Sequence, residues 1–287
     1  MRKKVNIFPF SSFVLLFFMA LGYYINVNQE AHKKFAPYLQ RGIDFTLNLK
    51  DYVESPFYKN FKGYGVKLPD NYSVHGIDIS HHQKLIDFQR VSAFYAQNTS
   101  IKFVYAKATE GKDHKDRHFD RNRNEIREHN LLFGAYHFFR PKTSGKEQAE
   151  YFIKTVGALD PSDLVPVVDI EVLDGVDPSL MRDRLEEFVL RVEEEYGVKP
   201  MIYTGDSFYK DYFKGHFRKY RVWIANYGQS TKAPKARWTM WQHTQEANID
   251  GIPNKVDMNV FDGNWEKFQK SLLIGHQKGY KQLTNSK

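Results

Sequence analysis

Residues 165–205 read VPVVDIEVLDGVDPSLMRDRLEEFVLRVEEEYGVKPMIYTG. An apolar, β-rich run (VVDIEV) is followed by a polar turn, then by SLMRDRLEEFVLRVEEEYG, then by a second β-rich run (KPMIYTG). In the middle segment Leu180, Leu185, Phe188, Val189 and Val192 recur at the spacing of one helix face, and Gly197 supplies a C-terminal stop. A strand, a helix and a second strand in this order predict a crossover unit of a parallel sheet.

Outward from this unit the same alternation continues. VHGIDIS, IKFVYAKAT and LLFGAYHFF precede it, and YRVWIANY, RWTMWQHT and VDMNVF follow. With LVPVVDIEV and KPMIYTG these make eight runs, which predict a parallel α/β barrel rather than an all-β sandwich. From Tyr203 onward the connections shorten and lose helical periodicity, so the fold class is an irregular TIM-like (β/α) barrel with reduced helices in its second half.

Arg2, Lys3 and Lys4 precede a charge-free stretch from Val5 to Gln29, close to the roughly 20 residues that span a bilayer. Positive charge on one side only predicts an exported chain. Ala20 and Gly22 fit a processing site, whereas Tyr23 and Tyr24 suit the outer interface of an uncleaved anchor. The expected organisation is a signal anchor or signal peptide over 1–29, a stalk over 30–72, a catalytic barrel over 73–268 and a basic tail over 269–287. The product is membrane-anchored facing the periplasm or cell exterior, or secreted if the segment is cleaved.

The formal charge of +8 predicts attraction to polyanions. The basic residues are dispersed among acids, with no compact block interleaved with aromatics, so no nucleic-acid partner is expected. Aromatics make up 16% of the chain, enough to line a sugar groove or to fill a Phe-rich core. The chain has no Cys, which excludes disulfides, thiolate metal sites and a Cys nucleophile. It also lacks G-x-S-x-G, P-loop and H-E-x-x-H patterns, which removes the usual supports for acyl transfer, nucleotide hydrolysis and zincin proteolysis.

Polar residues gather at the C-terminal ends of the predicted strands: Asp78, Lys107, Thr109, His137, Asp169, Glu171, Tyr203, Asn226 and Gln242, with Asp257 an early-strand exception. In barrels that rim carries the active site. Asp169 and Glu171, one residue apart on a predicted strand, face the same way with backbones about 6.5–7 Å apart. Burial and mutual repulsion would leave one protonated beside an ionised partner, as glycoside hydrolysis requires. Asp78 and Asp257 lie on the first and last strands, which adjoin when a barrel closes. Metal ligation by His81, His82, His114, His118 or His137 with Asp78 or Asp169 remains an alternative, of the kind used by metal-dependent deacetylases.

GIDISHHQ with a following IDF, FVYAKATEG, GAYHFFRP, VPVVDIE, MIYTG, WIANY, MWQHT and VDMNVFDG, in this order, resemble the family 25 glycoside hydrolases, lysozymes that act as N-acetylmuramidases. The resemblance spans roughly Val74 to Phe268. It implies an irregular barrel that needs no metal or other cofactor and hydrolyses the β-1,4 bond from N-acetylmuramic acid to N-acetylglucosamine in peptidoglycan glycan strands. By position it implies Glu171 as general acid, Asp169 as its partner, and Asp78 and Asp257 as further pocket carboxylates. Tyr203 and Trp241 resemble substrate-contacting rings, and Gln242, Lys107 and His137 are further substrate-binding candidates. Help from the substrate's own 2-acetamido group is the implied mechanism, with Asp169 or Asp257 steadying the developing charge. A glycan-binding pseudoenzyme is the other reading. No wall-binding repeat follows Trp265, so the anchor, together with Lys270, Lys278, Lys281 and Lys287, would hold a monomeric enzyme near its substrate.

Overall fold

In the computed structural model of the chain, residues 63–69, 72–227 and 233–281 are described. They belong to one compact unit. The expected membrane segment and nearly all of the expected stalk lie outside the described residues. Where the stalk meets the barrel, Tyr64 and Leu68 are buried in its core, and the Tyr64 hydroxyl donates to the Thr99 carbonyl at 2.8 Å.

The elements, in order, are β1 (His75–Ile79), α1 (Phe88–Ala93), β2 (Tyr95–Ala96), β3 (Thr99–Glu110), β4 (His114–Lys115), α2 (Phe119–Glu128), β5 (Leu132–Phe138), α3 (Gly145–Val156), β6 (Val167–Asp169) and α4 (Pro178–Tyr196). There follow β7 (Met201–Gly205), β8 (Val222–Ala225), β9 (Met240–Ala247), β10 (Val256–Phe261) and α5 (Trp265–Leu272). Only the helical turns Asp206–Phe208 and Tyr209–Phe213 separate β7 from β8. The reduced helices of the second half are therefore present as expected.

β1, β3, β5, β6, β7, β8, β9 and β10 pair in a closed ring, with the short β2 and β4 attached to β3. The pairings from β1 through β3 and β5 to β9 are parallel. The last strand departs from the expected all-parallel order, because β10 runs antiparallel to both β9 and β1. The connection between β9 and β10 spans only 248–255, whereas a parallel return requires a crossover of a dozen or more residues.

α4 is the helix read from the opening stretch. The Asp177 carboxylate caps its N-terminus, Pro178 occupies the first turn, and Gly197 closes it in the left-handed conformation at φ 71°. Met181, Leu185, Phe188, Val189, Val192 and Tyr196 are buried, whereas Leu180 is 39% exposed, so the buried stripe starts at Met181 rather than at Leu180. Each large apolar side chain so buried contributes about 1.5–3 kcal/mol. Inside the barrel, Tyr105 lies against Gly134 so closely that an added Cβ would sit 2.2 Å from its ring, and the Tyr105 hydroxyl donates to the Val165 carbonyl at 3.1 Å. Tyr105, Trp223 and Tyr203 then pack in turn, tilted and edge to face, with centroids 5.2 and 5.0 Å apart, beneath the polar rim.

Candidate active site

The reversal of β10 explains its early aspartate. Because that strand runs downward, its N-terminal end lies at the rim where its neighbours end, and Asp257 pairs in register with Asp78. Two residues further along the same strand face, Asn259 donates its amide to Asp78 Oδ2 at 2.8 Å. From β9, Gln242 Nε2 donates to the same oxygen at 2.8 Å. Gln242 Oε1 in turn accepts from the Tyr203 hydroxyl at 2.7 Å and from the Tyr227 hydroxyl, and Asn259 Oδ1 accepts from the Trp223 indole at 2.9 Å.

β6 ends at Asp169, so Glu171 stands just beyond the strand expected to carry both residues. The backbone is nevertheless held on both sides: Phe139 N–H donates to Asp169 O at 2.8 Å, and Ile170 N–H to Tyr203 O at 3.0 Å. The two carboxyls interact through a side-chain hydrogen bond and compete for a proton. Burial, reinforced by the Glu171 charge, pushes the Asp169 pKa well above the carboxylate range. Burial also raises that of Glu171, with the hydrogen bond to Asp169 acting in the opposite direction. Glu171 itself is exposed at the mouth.

Asp257 is pushed up to about 8 by burial and then by the charges of Asp78 and Glu171. Asp78 reaches only about 6, because the amides of Asn259 and Gln242 counteract its burial. The cluster therefore holds carboxyls of different proton affinity within electrostatic reach of one another, the condition for dividing acid and base roles. Glu171 opens onto a groove of about 610 Å³ lined also by Asp206, Phe208, Tyr212, Asn226 and Tyr227. Ring faces beside carboxylates and amides suit a carbohydrate.

The other expected site residues divide. Tyr203 and Gln242 are buried beneath the groove, bonded to each other and, through Gln242, to Asp78. Lys107 is buried on β3, its Nζ 2.7 Å from Glu110 Oε2 and 4.8 Å above the Phe138 ring, and its charge lowers the Asp169 pKa. Trp241 and His137 are corrections: both are 0% exposed and present no surface to the groove. On β9 the side chains alternate, so Gln242 faces inward and Trp241 outward, where it packs on Tyr72 and Trp238 and donates to the Asn226 carbonyl at 3.0 Å. His137 stacks on Phe188 with centroids 4.7 Å apart, meets the Thr109 hydroxyl at Nδ1 and donates from Nε2 to Gln148, and burial lowers its pKa to about 3. The histidines of the metal alternative are not assembled: His81 Nδ1 pairs with Asp116 at 2.8 Å, and among the described residues no three His, Asp or Glu side chains are grouped to hold a metal ion.

The sequence model of the glycosyl hydrolases family 25 matches residues 77–252, most of the barrel. The chain belongs to this family. The hydrolase is 37% identical over 224 residues to the protein YegX of Escherichia coli O6:H1, covering 78% of this chain and 82% of that one. It is 31% identical to lysozyme M1 of Streptomyces globisporus, covering 68% of this chain and 70% of that one. Its barrel resembles the crystal structure of the lysozyme from Streptomyces coelicolor with a TM-score of 0.64 at 30% identity, covering 72% of this chain and 99% of that one.

Several residues of the hydrolase's site were not singled out from sequence. Asn259 was within reach, since it shares a strand face with Asp257 in VDMNVF. Trp223 and Tyr136 lie within recognised strands, and the Tyr136 ring lies near Asp78, Asp169 and Asp257, whose charges, after burial, raise its pKa. Asp206 and Tyr212 come from the short helical turns after β7, which carry no periodic signal, and Tyr227 ends the recognised run YRVWIANY just beyond β8.

Proposed function

We propose that this family 25 hydrolase is a muramidase that cleaves the β-1,4 bond between N-acetylmuramic acid and N-acetylglucosamine in peptidoglycan. The observation that carries this reading is the hydrogen-bonded pair Asp169–Glu171 opening on the aromatic and polar groove, with Asp78 and Asp257 beside it. Glu171, raised in pKa and exposed to the groove, protonates the leaving oxygen as the glycosidic bond breaks. The carbonyl oxygen of the substrate's 2-acetamido group closes on the anomeric carbon, and the positive charge spreads over the resulting oxazolinium. Asp169 retains one oxygen, Oδ1, with no hydrogen-bond donor, which suits it to accept the acetamido N–H and steady that charge. Water then opens the ring, returning a proton to Glu171, which now acts as base.

The N-terminal basic triplet and charge-free stretch support export, with the enzyme held as a monomer on the outer face of a membrane, or released if that segment is cleaved. Cell fractionation with protease added outside intact cells tests this; protection of the barrel from protease would refute it. The activity is tested on purified peptidoglycan. New reducing ends on muramic acid are expected, and Glu171→Gln should lower turnover about 10²–10⁴-fold while keeping the fold. Near-normal turnover in that variant, or acetate release abolished by a chelator, would overturn the assignment.

A further inference from the structure

Among the clustered carboxyls, Asp78 alone has two side-chain amides on one oxygen, and the orientation of those amides is determined by their other neighbours. An indole N–H can only donate, so Trp223 requires Asn259 Oδ1 to face it, which turns the Asn259 amide hydrogens toward Asp78. On the other side Gln242 Oε1 receives two tyrosine hydroxyls, which leaves Nε2 for Asp78. Asp78 Oδ2 thus accepts two N–H bonds inside the barrel and has no capacity to donate.

We propose that Gln242 and Asn259 are positioning residues that hold Asp78 as an ionised member of the cluster, and that Trp223, Tyr203 and Tyr227 set the direction of the two amides. The inference rests on the muramidase reading only for its kinetic test. The groups facing Asp78 are Asp257 from β10, Asp169 and Glu171 from β6 and just beyond it, Tyr136 from β5, Tyr203 from β7 and Tyr227 after β8; Lys107 from β3 faces Asp169. None of these is a cation next to Asp78, so the neutral amides are what offset its burial, and the lower proton affinity of Asp78 relative to Asp257 agrees with this. A fixed negative charge is thereby set within the carboxyl cluster, without an adjacent lysine or arginine to neutralise it.

Asn259→Asp keeps the shape and the Trp223 bond but replaces a donor with a carboxyl 2.8 Å from Asp78, so the two must share a proton. Gln242→Glu does the same from the other side. In the full-length chain each variant should move the acid limb of the kcat/KM profile up by at least one pH unit, so that the rate at pH 6 falls about tenfold more than the alkaline rate. Carboxyl ¹³C NMR of aspartate-labelled protein, with Asp78 assigned through Asp78→Asn, should show the same upward movement of the Asp78 midpoint. A uniform loss of rate across pH with an unmoved Asp78 midpoint in both variants would overturn the proposal. Thermal unfolding confirms that each variant is folded. Because the NMR readout needs no turnover, an inactive wild-type chain whose Asp78 midpoint moves in the variants would refute the muramidase reading and leave the amide clamp standing.

Discussion

Asp257→Asn should stabilise this protein at neutral pH and leave it unchanged in acid. In the folded chain the Asp257 carboxyl is held at about 8 against an ordinary value of 3.8. A carboxyl raised in this way contributes its full stability below the ordinary value and loses it as pH rises through about 8. At pH 7 the unfolded chain is ionised while the folded chain must take up a proton, at a cost of up to about 4 kcal/mol (about 1.4 per pH unit over roughly three units). Asp257 is only partly buried, and its access to water reduces the penalty to about 2 kcal/mol. Asparagine removes the ionisation at nearly the same volume. The variant should therefore melt about 4–8 °C higher at pH 7, and within about 1 °C of the parent at pH 4. Thermal unfolding followed by circular dichroism at the two pH values and constant ionic strength is the assay. Equal differences at both pH values, or none at either, would refute the picture of a repelling carboxyl cluster. Loss of activity alongside the gain would mark Asp257 as a residue kept at the expense of stability.

Three further outcomes follow from the packing. Gly134→Ala should destabilise the barrel by about 3 kcal/mol or prevent folding, since its Cβ would lie 2.2 Å from the Tyr105 ring; a soluble variant of unchanged melting temperature would contradict this. His137→Phe should cost about 2–4 kcal/mol by leaving Thr109 and Gln148 without their partner, yet keep the KM for glycan within about twofold; a tenfold rise in KM would restore His137 to the substrate surface. Reducing-end release should be unaffected by chelator, and a loss reversed by added zinc would revive the metal reading.

How far the site could be read before the structure depended on the kind of signal each residue carries. Asp169, Glu171 and Asp78 stand at the ends of strongly apolar runs, so local pattern and barrel geometry together pointed to the rim. Trp241 and His137 carried the same kind of signal but lie on the opposite face from the pocket. For Trp241 the error lies in strand phase: alternation says that Trp241 and Gln242 point oppositely, but not which of them points inward. For His137, whose ring nitrogens are engaged by Thr109 and Gln148, a polar side chain at a strand end proved to be a satisfied core residue. Asp206 and Tyr212 were hidden because their helical turns are too short to show a period.

The eight barrel strands, the α4 crossover and the thinning of helices after Tyr203 are legible along the chain, because periodicity and capping are local properties. The antiparallel course of β10, which brings Asp257 level with Asp78 and places Asn259 and Gln242 around one carboxylate, emerges only in the folded barrel. Strand direction and ring closure depend on pairing between residues far apart in the chain. The proton affinities of the cluster depend on them too, since burial and neighbouring charge arise only once the barrel has closed.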